Sequence, residues 1–213
     1  MSETELAPRR GPALRVTNLS KRYGAVLALD DVSFVVDAGA SVALWGPNGA
    51  GKTTVLRCLL GLARYDGEVR VNDLDPARRG ERARRQIGYV PQDLPLAAMT
   101  VDEVTAYVAR LKRAPLSDGA ARLAQLGIDE HGGKPVAALS GGMKQRLALA
   151  LALIGDPPVL LLDEPTANLD ARGRADLLLL LKQLKRAGTT LLFSSHRPED
   201  ILALAERVLL LEN

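Results

Sequence analysis

Residues 42–54 read Val-Ala-Leu-Trp-Gly-Pro-Asn-Gly-Ala-Gly-Lys-Thr-Thr. An apolar run passes directly into the pattern G-x-x-x-x-G-K-T. Val42 to Trp45 predicts a short buried strand, and the segment from Lys52 to Leu62 predicts the helix that follows. Gly46, Gly49 and Gly51 let the main chain turn tightly and aim its N–H groups at an anion. Pro47, Asn48, Ala50 and Thr54 complete the loop. Lys52 reaches the β- and γ-phosphates, and the Thr53 hydroxyl ligates Mg²⁺. The helix N-terminus adds its dipole to the same anion site. The strand before and the helix after distinguish this loop from a glycine-rich turn with a stray lysine. The expectation is a nucleoside triphosphate site.

Val159 to Glu164 reads Val-Leu-Leu-Leu-Asp-Glu and is followed by Pro165. A buried strand ending in a carboxylate is how phosphate-loop proteins place a second anchor on Mg²⁺. Asp163 takes that role, through a water. Glu164 is expected to point to the other side of the strand end and to polarise a water for attack on the γ-phosphate. Taken alone, the same residues read equally well as a strand that stops at a polar turn.

Working outward, strands are expected at 13–17, 31–37, 42–45, 68–71, 87–90, 159–162, 189–193 and 207–211. Helices are expected at 52–62, 102–113, 117–126, 141–154, 171–186 and 198–205. Continuous apolar strands alternating with helices predict a mainly parallel sheet covered on both faces. From about Thr100 to Pro135 the alternation gives way to an all-helical pattern, a helical subdomain inserted into the α/β core over about residues 93–157. Met1 to Pro12 reads as a disordered tail and 13–213 as the folded domain. The chain stops at Glu212-Asn213, as a minimal or a truncated domain would.

The chain has 213 residues, 47% hydrophobic content and a formal net charge of +3. That suits one core with a small subdomain, and interspersed charges argue against nucleic-acid binding. Arg78, Arg79, Arg82, Arg84 and Arg85 form the one dense basic stretch, read as the solvated face of a short helix. A single cysteine, Cys58, is expected in the core and fits a reducing compartment. The N-terminus lacks the apolar region of a signal peptide. Leu147 to Ile154, the richest apolar run, is too short to span a bilayer. The chain is expected to be soluble by itself.

Further motifs carry a resemblance over residues 13–213. Leu139-Ser140-Gly141-Gly142-Met143-Lys144-Gln145-Arg146 is similar to the signature motif of ATP-binding cassette (ABC) ATPases, and it precedes the acidic strand in the family's order. Gln92, in Tyr89-Val90-Pro91-Gln92-Asp93, resembles the Q-loop. Asn168-Leu169-Asp170 resembles the D-loop, and Ser194-Ser195-His196 the switch histidine at a strand end. Tyr23, in Lys21-Arg22-Tyr23-Gly24, resembles the aromatic that stacks on adenine. It is one of four tyrosines beside two phenylalanines and one tryptophan, so a core role is the competing reading; its neighbours argue for a loop. Ser140, Gly141 and Gly142 open a helix, so N–H groups and a hydroxyl face outward for an anion. Alone, they would read as an ordinary helix cap. Met143 stands where glutamine is usual. His131 matches no motif and reads as a loop residue.

The resemblance implies a P-loop NTPase fold with an N-terminal antiparallel β subdomain. It implies Mg-ATP hydrolysis between two cassettes arranged head to tail, with the signature of one facing the γ-phosphate on the other. Gln92 would sense Mg²⁺ and the attacking water and couple to a transmembrane permease; His196 would contact the γ-phosphate. The protein would lie on the inner face of the cell membrane through that partner. Thr100-Val101-Asp102-Glu103-Val104, followed by Arg110-Leu111-Lys112-Arg113, resembles cassettes of multidrug, antibiotic, copper-related or haem exporters, so export is favoured over import. The alternatives are a soluble ABC ATPase acting on nucleic acid or ribosomes, whose paired cassettes, zinc modules and coiled-coil arms are not seen here, and a P-loop kinase or GTPase.

Overall fold

Short apolar strands dictate the centre of the molecule, seen in a computed structural model that describes residues 11–94 and 98–212. Strands β3 (Ser41–Trp45), β5 (Ile87–Val90), β6 (Val159–Leu162), β7 (Thr190–Ser194) and β8 (Arg207–Leu210) form a parallel sheet in the order β5-β6-β7-β3-β8. Side chains alternate between its faces. Ala43, Val90, Leu160, Leu162, Leu191 and Phe193 enter one core, whereas Val42, Leu44, Ile87, Val159, Leu161 and Leu192 enter the other. Both faces are covered, as the unbroken apolar runs require.

A second sheet is antiparallel and three-stranded, with order β2-β1-β4, from β1 (Pro12–Tyr23), β2 (Val26–Asp37) and β4 (Asp66–Val71). β1 and β2 are far longer than the expected 13–17 and 31–37. The hydrophobic alternation breaks at Asn18 and Asp31, which have φ of 50° each, in the left-handed region that Asn and Asp tolerate. The pairing register shifts there. The irregularity is clamped by Asn18 Nδ2 donating to Asp31 Oδ1 at 2.6 Å, and by the Ser33 and Ser20 hydroxyls accepting from the Asn18 and Asp31 N–H groups. Bulged polar residues thus hid the continuing strands.

The helices are α1 (Lys52–Leu59), α2 (Gly80–Arg85), α3 (Val101–Lys112), α4 (Leu116–Gln125), α5 (Gly141–Leu153), α6 (Ala171–Arg186) and α7 (Pro198–Leu204). α1 stops before the expected 62 because Gly61 turns left-handed, with φ of 67°, and its N–H bonds to the Cys58 carbonyl; this is a glycine-terminated helix end. Cys58 is buried, which raises its thiol to about 11. α2 carries Arg82, Arg84 and Arg85 of the arginine stretch, while Arg78 and Arg79 precede it; all but the partly buried Arg85 are exposed.

α3 starts at a reciprocal cap: the Thr100 hydroxyl accepts from Glu103 N–H, and the Glu103 carboxylate accepts from Thr100 N–H. α3, α4 and α5 pack together and share a core with β6 and β7. Lys112, at the end of α3, donates to the carbonyls of Ala152 and Ile154 at 2.8 and 2.9 Å. It satisfies the C-terminal end of α5, and burial lowers its ammonium to about 8. His131 closes a short 3₁₀ turn, Asp129–His131, rather than an irregular loop. The leucine run of α6 is amphipathic: Leu177 and Leu181 are buried while Leu179 is exposed. Pro12 already belongs to β1, so the expected tail ends before it; residues 1–10 lie outside the described region.

Candidate nucleotide-binding site

The C-terminal ends of β3, β6 and β7 point toward one cleft of ≈ 620 Å³. It is lined by Gly46, Pro47, Asn48, Gly49, Gly51, Lys52, Thr53, Thr54, Gln92, Asp163, Glu164 and His196. Four separated stretches of sequence therefore meet in one cleft.

Two of the loop glycines are fixed by their surroundings. A Cβ on Gly46 would lie 2.3 Å from the Leu211 carbonyl oxygen. Gly51 has φ of +90°, and a Cβ there would meet the Ala28 oxygen at 2.5 Å. The loop is thus pressed against β2 and the end of β8. Ala50 is buried beneath it at 3% exposure and does not line the cleft. Lys52, at the N-terminus of α1, is buried. Its Nζ donates to the carbonyls of Gly46 at 2.7 Å and Pro47 at 3.0 Å.

Opposite the loop, Asp163 Oδ1 accepts from Thr53 Oγ1 at 3.2 Å and from Ser194 Oγ at 2.8 Å. Ser194 Oγ in turn accepts from the Glu164 N–H at 2.8 Å. The strand-end hydroxyl therefore holds both acidic residues. Tyr89 is pushed up to about 12, by burial first and then by the nearby Asp163 carboxylate. Glu164 takes φ of 48°, uncommon for a residue with a long side chain. That turn lets its carboxylate leave the line of β6 and reach His196, whose Nδ1 lies 2.8 Å from Oε2. Glu164 is mostly buried while His196 is half exposed.

Among the described residues, no group of three or more His, Cys, Asp or Glu gathers for a metal. The Thr53 hydroxyl and Asp163 carboxylate are hard oxygen donors in contact, and the Gln92 amide lines the same cleft. That set fits Mg²⁺, which takes one or two protein oxygens and completes its shell with phosphate and water.

The remaining expected residues lie elsewhere. Ser140 caps α5, its Oγ accepting from Met143 N–H at 3.3 Å. Ser140 and Gly142 line a different cleft, of ≈ 650 Å³, with Asn168, Leu169 and Asp170. Gly141 packs so closely that a Cβ would lie 3.1 Å from the Asn168 oxygen. Tyr23 is not in a loop: it ends β1, paired with Val26 across the Gly24–Ala25 turn. The strand pattern continues through Lys21 and Arg22, whose charges had suggested otherwise. Tyr23 is 44% exposed, has Lys21 Nζ 4.6 Å from its ring centroid and is not among the cleft-lining residues. Ser194, the shared partner of Asp163 and Glu164, carried only the signal of a hydroxyl ahead of the histidine.

Residues 29–167 match the family described as ABC transporter. The chain belongs to this family. Over 210 residues it is 38% identical to the methionine import ATP-binding protein MetN of Mesorhizobium japonicum, covering 93% of this chain and 58% of that protein. Over 207 residues it is 39% identical to the Nod factor export ATP-binding protein I of Sinorhizobium fredii, covering 94% of this chain and 60% of that protein. The chain thus spans about three fifths of the length of these relatives. Among solved structures, an ATP-binding subunit of an ABC transporter superposes with a TM-score of 0.86 at 30% identity, covering 94% of this chain and 86% of that one. The parallel core with its added antiparallel sheet is the P-loop fold of these cassettes.

Proposed function

We propose that the chain is the ATP-binding subunit of an ABC transporter, hydrolysing Mg-ATP in a head-to-tail pair of cassettes to drive a transmembrane permease. The observation that carries this reading is the division of the site. Lys52, Thr53, Asp163, Glu164 and His196 share one cleft, whereas Ser140 and Gly142 line another. A phosphate held at Lys52 meets a signature helix only if a second cassette supplies it.

In the chemistry, the loop N–H groups and Lys52 bind the β- and γ-phosphates and stabilise charge as water attacks in line. Thr53 and Asp163 would hold Mg²⁺, with Gln92 beside them; the ion would neutralise phosphate charge. Glu164 orients the water and accepts its proton. His196 lines the cleft 2.8 Å from Glu164 and would contact the γ-phosphate. Tyr23, at the hairpin tip, stacks on adenine. The Q-loop joins the sheet core to the helical unit at about 93–157 and couples the nucleotide to the permease. Among the described residues no helix is long and apolar enough to cross a membrane; in this reading the permease holds the chain at the inner face of the cell membrane. Export is favoured from the stretch beginning Thr100-Val101-Asp102-Glu103-Val104; relatives named for import and for export match at similar identity.

Complementation tests this reading. Gly142→Asp should fold, since a Cβ there meets only Leu169 Cδ2 at 3.7 Å, and its carboxylate would repel a γ-phosphate on the other cassette. Lys52→Ala and Gly142→Asp proteins should each be inactive, and their mixture should regain ATPase activity at the one intact composite site. No recovery on mixing contradicts the shared site.

A further inference from the structure

Asp200 is a buried carboxylate that the chemistry above does not use. It lies in the first turn of α7, is 2% exposed and does not line the cleft. Its Oδ2 accepts from Thr166 Oγ1, and from Ser195 Oγ at 3.3 Å. Its Oδ1 has no hydrogen-bond partner among the described residues, although Arg174 Nε of α6 lies 3.9 Å away. A buried carboxyl group with one oxygen outside any hydrogen bond and only a long approach from a cation is a poor way to stabilise a fold.

Its partners give it a different meaning. Thr166 stands two residues beyond Glu164, and Ser195 immediately precedes His196. One carboxylate therefore ties the two segments that carry the facing pair, 2.8 Å apart. Ser195 Oγ also accepts from the Arg197 N–H at 3.1 Å, so the tie reaches both sides of His196. Glu164 is held in a left-handed conformation and needs restraint from its surroundings. Ser194 restrains its N–H; Asp200 restrains the chain that follows.

We propose that Asp200 is a positioning residue for hydrolysis: by binding Thr166 and Ser195 together it sets the separation of Glu164 from His196 and keeps the Glu164 carboxylate aimed into the cleft. This rests on the ATPase reading. It predicts a loss in turnover with little loss in ATP binding, because Lys52, Thr53 and the phosphate loop are untouched.

The test is a double-mutant cycle in the full chain, with ATP affinity and single-turnover hydrolysis measured separately. Asp200→Ala should lower the hydrolysis rate by about 10²-fold, the effect of a misplacement near 1 Å, with the ATP Kd nearly unchanged. Asp200→Asn should recover most of the rate, because its amide oxygen still accepts from both hydroxyls. In a Glu164→Gln background, Asp200→Ala should cost nothing further, since the residue acts through Glu164. An equal loss in both backgrounds, or a Kd that weakens in parallel with the rate, overturns the proposal. If melting shows that Asp200→Ala does not fold, Thr166→Val with Ser195→Ala removes the same ties from the other side and must give the same pattern. A parent protein that hydrolyses no ATP overturns the ATPase reading itself; an active parent, an impaired Glu164→Gln and an unimpaired Asp200→Ala overturn only the positioning role.

Discussion

Lys52 Nζ donates to the Gly46 carbonyl oxygen at 2.7 Å. The side chain of the loop's last turn thereby curls over the loop's own beginning. With Pro47 as a second acceptor at 3.0 Å, the charge is held by backbone dipoles rather than by a carboxylate. Phosphate oxygens compete well for such an ammonium, because a charged acceptor binds it more strongly than a neutral carbonyl does.

Lys52→Ala should therefore reduce ATP hydrolysis by 10²-fold or more, the order seen when a preorganised partner of developing charge is removed. Steady-state hydrolysis with Mg-ATP checks this. A variant turning over at the parent rate would show that Lys52 does not face the phosphates.

Gly51→Ala should lower stability by roughly 2 kcal/mol, combining a strained left-handed residue with a backbone clash. The φ of +90° and the 2.5 Å approach to the Ala28 oxygen are the motive. Gly133→Ala is the control, since nothing lies within 4 Å of its added Cβ. Thermal denaturation of both should show a drop of several degrees for the first alone. An unchanged melting temperature for Gly51→Ala would show that the loop moves freely off β2.

Tyr23→Ala should weaken ATP binding, while Tyr23→Phe should not, because stacking uses the ring and not the hydroxyl. A base–aromatic stack contributes about 1–3 kcal/mol, taking the single-strand estimate. Tyr23 is partly exposed, with Lys21 Nζ 4.6 Å from its ring centroid. Equal affinities for parent and alanine variant, measured by titration calorimetry, would place adenine elsewhere.

Gln92→Ala should lower permease-coupled transport more than basal hydrolysis. Gln92 lines the phosphate cleft just beyond β5, where the chain leaves the sheet for the helices. Equal losses in reconstituted vesicles and in the isolated chain would reduce Gln92 to a purely hydrolytic role.

The parts of the site that could be read in the sequence are those whose chemistry is local. The phosphate loop, Asp163-Glu164 and Ser140-Gly141-Gly142 each carry strand, turn or cap within a few residues of the reactive groups. The full length of β1 and β2 was not legible, because Asn18 and Asp31 interrupt the alternation and are stabilised by cross-strand hydrogen bonds. Ser194 and Asp200 were missed for a related reason. A serine at a strand end and an acid in a first helical turn are both locally ordinary; their partners Asp163 and Thr166 lie over thirty residues away. The left-handed turn at Glu164 likewise arises from tertiary restraint.

Glu164→Gln tests the central claim most directly. The amide matches the carboxylate in size, so the cleft and the Thr53–Asp163 contact survive, while the attacking water loses its base, typically a loss of 10²–10⁴-fold. The intact γ-phosphate then bridges Lys52 of one cassette and Ser140 and Gly142 of the other, and mass action favours the pair while the bridge lasts. Light scattering after size exclusion should show a dimer in Mg-ATP and a monomer in Mg-ADP. A monomer in both nucleotides would contradict the head-to-tail sandwich, and a dimer in both would show association independent of the γ-phosphate.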